Sequence, residues 1–301
     1  MELRAQLHMH TIESKGTRIK IHSNIYPKTA ISVLKKKNIQ VLAITDHDNT
    51  RAYPKIKDYA KKNGIIVING IEISTRDGEI IGLNIEPGIE KELNKKMSVH
   101  EAKDAILDYN GEVMIPHPFS FMENGIGEKI KEIKGIVEVF NPGNIFGFED
   151  KFAKIVAEKL KMPMVACSDA HYLKMIDRGI TVVDADSDVD SILRSIKKGK
   201  VRFENCEYVT WNEIKEWALI RVSSSYNDII KNLENGWEID AKYMKFANLK
   251  FMRFIEKKTL QLGILKSDSK IWDMISYIIF FITNLYAWRA KREYAPFVFS
   301  I

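Results

Sequence analysis

The stretch Val41-Leu42-Ala43-Ile44-Thr45-Asp46-His47-Asp48 changes character halfway: an apolar run ends in a hydroxyl, two acids and an imidazole. Such a run reads as a strand that carries functional groups at its end. Working outward, residues 5–10, 65–74, 80–85, 113–117, 136–140 and 164–168 are β-rich in the same way, and amphipathic stretches at 30–37, 100–109 and 149–160 lie among them. This alternation predicts an α/β protein with mostly parallel strands, either a barrel or a doubly wound sheet. It fades near residues 200–203.

The chain has 301 residues, which suits one barrel with an appendage or two smaller domains. Its 45% hydrophobic and 29% charged residues exclude collagenous and disordered classes. Cys167 and Cys206 lie far apart with no Cys-x-x-Cys spacing, which argues against a disulfide scaffold and against a thiolate zinc site. With no basic and apolar leader in the first residues, a reducing cytoplasmic setting is expected. The net charge of +6 is mild and evenly distributed along the chain, too diffuse to argue by itself for nucleic acid.

From Trp211 onward longer helical periodicity replaces the strand rhythm, so a boundary is expected near residue 205, with 1–204 as the barrel and 205–301 as a mainly helical region. Residues 241–270 carry eight basic residues and a stripe formed by Tyr243, Met244, Ala247, Phe251, Phe254 and Ile255. That stripe is expected to pack on the barrel, with acidic lipid or nucleic acid as the alternative contact. Residues 271–288 are the most apolar run, but Asp273 and Asn284 interrupt it. Eighteen helical residues reach about 27 Å, short of a hydrocarbon core of about 30 Å, so a buried or oligomer-forming helix is expected rather than membrane contact through 241–292.

Chemistry concentrates where the strands end. In Leu7-His8-Met9-His10 the imidazoles are two apart, the spacing that sends both to one side of a strand and lets them grip one ion. Thr45-Asp46-His47-Asp48, Gly70-Ile71-Glu72-Ile73-Ser74, Ile115-Pro116-His117-Pro118 and Cys167-Ser168-Asp169-Ala170-His171 follow the same plan. Five strand ends delivering His, Asp or Glu match the rule that α/β barrels carry function at the C-terminal rim of the strands. A mixed set of imidazoles and carboxylates suits Zn, Mn or Fe, with Mg as a further option, and seven ligands exceed what one tetrahedral ion needs. Two or three divalent ions with a bridging carboxylate are therefore expected.

These motifs, in this order over residues 3–175, resemble the PHP (polymerase and histidinol phosphatase) metal-dependent phosphoesterases. The resemblance implies a distorted (β/α)7 barrel holding up to three ions. It implies that His8, His10, Glu72 and Asp169 hold one ion, that Glu72 bridges to a second held by His117, and that His47 and His171 hold a third. Glu79 is the counterpart of a further ligand of the second ion. Where the family has Ser-Asp-Gly this chain has Ser14-Lys15-Gly16, so the third position lacks its carboxylate, and Glu13 or His22 is the available substitute.

Asp46, Glu138 and Asn141 are placed to support the ligands, and Lys15, Arg18, Arg76 and Arg178 to meet phosphate oxygens. Cys167 reads as a core residue. The reaction implied is hydrolysis of a phosphate ester (a nucleotide, an oligonucleotide end or a small phosphomonoester) by a metal-bridging hydroxide, with Asp169, His171 and His47 as the catalytic candidates. The partners implied are a phosphorylated small molecule or a nucleic-acid end. Two alternatives are a non-catalytic metal- or nucleic-acid-binding PHP module and an amidohydrolase-type C–N hydrolase.

Overall fold

The computed structural model describes residues 1–14, 22–94, 96–214, 216 and 269–301. Lys15, Arg18 and the basic segment 241–268 lie outside the described residues.

The apolar runs do become strands: β1 (Glu2–Gln6), β2 (Val41–Ile44), β3 (Ile66–Ser74), β4 (Glu79–Leu83), β5 (Glu112–Ile115), β6 (Ile136–Phe140) and β7 (Met164–Ala166), joined by β8 (Ile180–Asp184) and β9 (Val201–Glu204). All nine form one sheet in the order β7-β6-β5-β4-β3-β2-β1-β8-β9. Four neighbouring pairs are parallel and four antiparallel, so the expectation of mostly parallel strands fails. The physical reason is a tight connection. Only Thr75 to Gly78 separate β3 from β4, a length that suits a hairpin and not a crossover helix.

The sheet nearly closes on itself. At the seam Thr181 of β8, fully buried, accepts from Ala166 N at 2.9 Å and donates to Ala166 O at 2.8 Å through one hydroxyl. Higher up, the segment after β1 pairs with the segment after β7 through a Met9–Ala170 bridge, and Gln6 Oε1 accepts from Ser168 N at 2.9 Å. Closure therefore brings the ends of β1 and β7 to one rim.

Helices α1 (Pro27–Lys36), α2 (Ala52–Lys62), α3 (Val99–Asp108), α4 (Phe148–Lys159) and α5 (Val189–Lys197) cover the sheet with their apolar faces. Ser98 starts α3 with a reciprocal cap: its hydroxyl accepts from Glu101 N while the Glu101 carboxylate accepts from Ser98 N at 2.6 Å. A long final helix, α6 (Ser269–Ser300), lies against α4. Ala287, Ala290, Tyr294 and Val298, spaced three and four apart, are its buried stripe. Tyr294 sits edge-on to Phe119 at 5.3 Å and covers Gly127, whose φ of +58° and close ring contact leave no room for a side chain. Among the described residues no helix is long and apolar enough to cross a membrane.

Candidate metal centre

The rim is built by strands of both directions. β1, β2, β3, β5, β6 and β7 run towards it, and β4, as the return arm of the hairpin, starts at it. Ser74 pairs with Glu79, and Glu72 lies two residues before Ser74, so the Glu72 and Glu79 side chains share one face of the sheet. His8 and His10 follow the regular part of β1 and not, as expected, its length; His117 follows β5, and Asp169 and His171 follow β7. Two of these residues take backbone conformations unusual for their type, with φ of +26° at His117 and +46° at Asp169.

Four donor atoms converge at the centre of the rim. His8 Nε2 and His10 Nε2 are 3.2 Å apart, Glu72 Oε2 lies 3.4 Å and 3.1 Å from them, and Asp169 Oδ1 lies 3.2 Å and 3.1 Å from them. Ligands held at about 2.0–2.1 Å around a tetrahedral ion are about 3.3 Å from one another, so these separations are those of a zinc-sized coordination shell. Asp169 Oδ1 and His47 Nδ1 are buried without a hydrogen-bond partner, as donors aimed at a cation would be. The residues fit a metal ion.

Glu72 reaches further with its second oxygen, Oε1, which is 3.3 Å from His117 Nε2; Glu79 Oε2 is 4.0 Å from the same nitrogen. Glu72, Glu79 and His117 thus form a second group around a shared carboxylate. His47 Nδ1 faces this side, 3.4 Å from Glu72 and 3.9 Å from Glu79. His171 Nε2 instead meets His22 Nε2 at 2.6 Å, and His10 stacks against both the His47 and His171 rings. His47 and His171 therefore face different neighbours.

Burial opposes charge throughout this cluster, and the ion pairs decide which groups keep it. Burial lowers His8, but Asp169, Glu72 and Glu138 outweigh it and hold the imidazole well above its usual range. The same contest leaves His10 raised to about 9 and His117 to about 10. Glu72 and Asp169 are held well below the usual carboxylate range, since the neighbouring histidines overcome burial. Burial and Glu72 push Glu79 well up, and burial brings His47 down to about 4. A divalent cation would take the place of the protons that the carboxylates now hold on the imidazoles, so binding should release protons.

Support comes from behind. Glu138 Oε1 lies 3.3 Å from His8 Nδ1, and Oε2 accepts from His117 N at 2.7 Å. Asn141 Nδ2 donates to Asp169 Oδ2 at 3.2 Å, and its backbone N–H is held by Asp150. Asp46 turns to Thr11 and not to His47: its carboxylate accepts from Thr11 N at 2.5 Å and Thr11 Oγ1 at 2.7 Å, which fixes the chain just after His10. Burial raises Asp46 to about 6. Arg76 is not brought to the cluster; it is exposed and donates to Lys96 O at 2.9 Å. Arg178 is engaged with Glu213 at 2.6 Å. Cys167 is a buried core residue whose thiol burial pushes up.

Sequence reasoning singled out His22 only as a substitute and passed over Thr11, Ser14 and Ser23. Ser14 Oγ accepts from His47 N at 2.9 Å and lies 3.2 Å from His10 Nδ1. The available signal was the histidine count, since only His100 of the seven histidines stands apart from the rim. Next to Asp169 and His171 opens an apolar cavity lined by Met122, Tyr172, Met175, Val209 and Ile214.

The family model for the PHP-associated region matches residues 149–201. The uncharacterized protein MJ1587 of Methanocaldococcus jannaschii is 34% identical over 163 residues, covering 52% of this chain and 93% of that protein. A two-domain protein of Bacteroides vulgatus containing a predicted PHP-like metal-dependent phosphoesterase superposes with a TM-score of 0.53 at 15% identity, covering 68% of this chain and 65% of that one. Residues 149–201 thus carry a PHP-associated region, set within a fold shared with a PHP-like protein. The fold of the chain is that of PHP-like metal-dependent phosphoesterases, although the nine-stranded sheet is not a simple repeat of seven β/α units. Two further proteins are similar. PsfC of Pseudomonas syringae superposes with a TM-score of 0.51 at 13% identity, covering 74% of this chain and 98% of that one. The 5'-3' exoribonuclease Rnm of Salmonella typhimurium is 35% identical over 86 residues, 27% of each chain.

Proposed function

We propose that the chain is a metal-dependent hydrolase of phosphate esters, with residues 1–204 as the catalytic unit. The observation that carries this reading is the four-donor shell of His8, His10, Glu72 and Asp169, whose spacings match a metal coordination sphere. Divalent ions bound there supply Lewis acidity and a water acidic enough to attack near neutral pH. The protein residues do the rest. Glu72 spans the two ligand groups and fixes their separation; Glu138 orients His8, and Asn141 orients Asp169. His47, with Nδ1 facing Glu72 and Glu79, is placed as a further ligand on that side, and His171, lining the apolar cavity, is placed to return a proton to the leaving group.

That cavity is placed to receive the organic part of the ester, with Tyr172, Met122 and Met175 offering contact to a planar or apolar group. The partial likeness to the exoribonuclease favours an oligonucleotide end among the candidate substrates. The test is turnover of p-nitrophenyl phosphate, its bis-ester, a mononucleotide and a short RNA with Mn, Zn or Mg, by the wild type and by the His8→Ala and Asp169→Ala variants. Activity lost in both variants is expected. Equal turnover by all three proteins would overturn the proposal.

A further inference from the structure

The chain that leaves the barrel after β9 does not turn away from the rim. Gly179 N donates to Asn205 O at 2.8 Å, and from there the backbone runs across the β6–α4 and β7–β8 connections. On the first of these Val209 N donates to Pro142 O at 3.0 Å. On the second Arg178 donates to Tyr208 O at 3.0 Å and to the Glu213 carboxylate at 2.6 Å. Both connections carry residues of the site, Asn141 on one and His171 and Tyr172 on the other.

Tyr208 fastens this strap. Its ring packs on Phe140 at 5.2 Å, and its hydroxyl lies against Gly147, where an added Cβ would come within 3.2 Å of it and where a φ of +66° also favours glycine. The hydroxyl donates to the buried Asp150 carboxylate, which also accepts from Asn144 Nδ2 at 2.6 Å and from Asn141 N. Asn141 in turn donates to Asp169. The strap is thus tied to the four-donor shell through two residues.

Beyond it, Thr210 and Glu213 cap one another: Thr210 N donates to Glu213 Oε2 at 2.8 Å, and Glu213 N donates to Thr210 Oγ1 at 3.3 Å. Ile214 N then donates to Thr210 O at 3.1 Å, and this single turn brings Ile214 beside Val209 in the wall of the cavity next to Asp169 and His171.

We infer that residues 208–214 are the specificity element of the site: Val209 and Ile214 form the wall that receives a planar, apolar leaving group, and Tyr208 is the positioning residue that holds this wall to the rim. The barrel supplies the ligands, and the segment that leaves it supplies the selection. An aromatic group buries its surface against Val209, Ile214 and Met175, whereas the hydroxyls of a sugar or glycerol would lose water there without gaining a partner.

The inference rests on the phosphoesterase reading above, and the test separates the two. The full chain, with Zn or Mn, is titrated calorimetrically with phenylphosphonate and methylphosphonate, which differ only in the organic group, and turnover of phenyl phosphate and glycerol phosphate is measured alongside. The wild type should prefer the phenyl compound in both measurements, and joint Val209→Thr and Ile214→Thr substitution should reduce that preference by about tenfold. Tyr208→Phe should weaken phenylphosphonate more than methylphosphonate, and raise KM for phenyl phosphate more than it lowers kcat; equal weakening of both probes would overturn its positioning role. Leu107→Ser, on the exposed face of α3, should leave the preference as it is. Turnover with a preference that the double substitution does not change would overturn the specificity element and leave the hydrolase reading standing. A phenyl preference that the double substitution abolishes, with no turnover of either ester, would support the wall and overturn the hydrolase reading.

Discussion

Glu138 and His8 meet at 3.3 Å through Nδ1, the imidazole nitrogen that faces away from the cluster, while the other Glu138 oxygen accepts from the backbone of His117. One buried carboxylate thus orients a member of each of the two ligand groups. Replacing Glu138 by Gln should weaken metal affinity by about 10–100-fold, the range seen when the support of a ligand is removed. Calorimetric titration with Zn or Co would measure it, and an unchanged affinity would show that His8 holds its pose without help.

Metal removal should affect stability as well as activity. The cluster buries three carboxylates and their histidines, and a ligand that binds only the folded chain stabilises it by about 2.7 kcal/mol at a hundredfold excess over Kd. Adding Zn to the chelated protein should therefore raise the melting temperature in a concentration-dependent way. His117→Ala should reduce the rise.

Glu149 offers a pH test away from the metal. It is buried at the start of α4, and burial raises its carboxyl to about 8, with Oε2 lacking a hydrogen-bond partner. Between the unfolded value near 4.3 and about 8 the unfolded state has lost this proton while the folded state keeps it, so stability falls as pH rises through that window. Glu149→Gln should melt close to wild type at pH 5 and higher than wild type at pH 8.5. Parallel melting curves across that range would contradict the shift.

The apolar cavity predicts selectivity. Met175→Trp should fill the space beside His171 and slow esters with bulky leaving groups more than p-nitrophenyl phosphate. The measurement is the ratio of kcat/KM values for a nucleotide and the small ester. A ratio identical to that of the wild type would place the leaving group elsewhere.

Docking of α6 can be tested through Tyr294. Its ring packs on Phe119 and Gly127, and truncation to Ala should destabilise the fold by about 3–5 kcal/mol. Denaturant unfolding would measure this, and a loss below about 1 kcal/mol would mean that the helix contributes little to the barrel.

The ligands were legible in the sequence because metal chemistry allows few residue types, and strand ends are marked by an abrupt change from apolar to polar. His8, His10, Glu72, His117 and Asp169 all gather at the rim. Strand direction was less legible. The β3–β4 hairpin is signalled only by Asp77-Gly78 in a short connection, and without it Glu72 and Glu79 look like members of separate parallel strands. β8 was missed because Ile180–Asp184 carries no functional group and its partner in the sheet, β1, is remote in sequence. The role of Asp46 depended on a tertiary contact with Thr11 that no local pattern encodes.

His117 and Asp169 hold positive φ angles that glycine or asparagine would adopt with less strain. A library selected for heat resistance alone would be drawn to exactly these two positions and would gain ruggedness by erasing ligands. Screens for sturdier variants of this barrel therefore need to retain a metal-dependent readout, or the hardiest survivors will be inert.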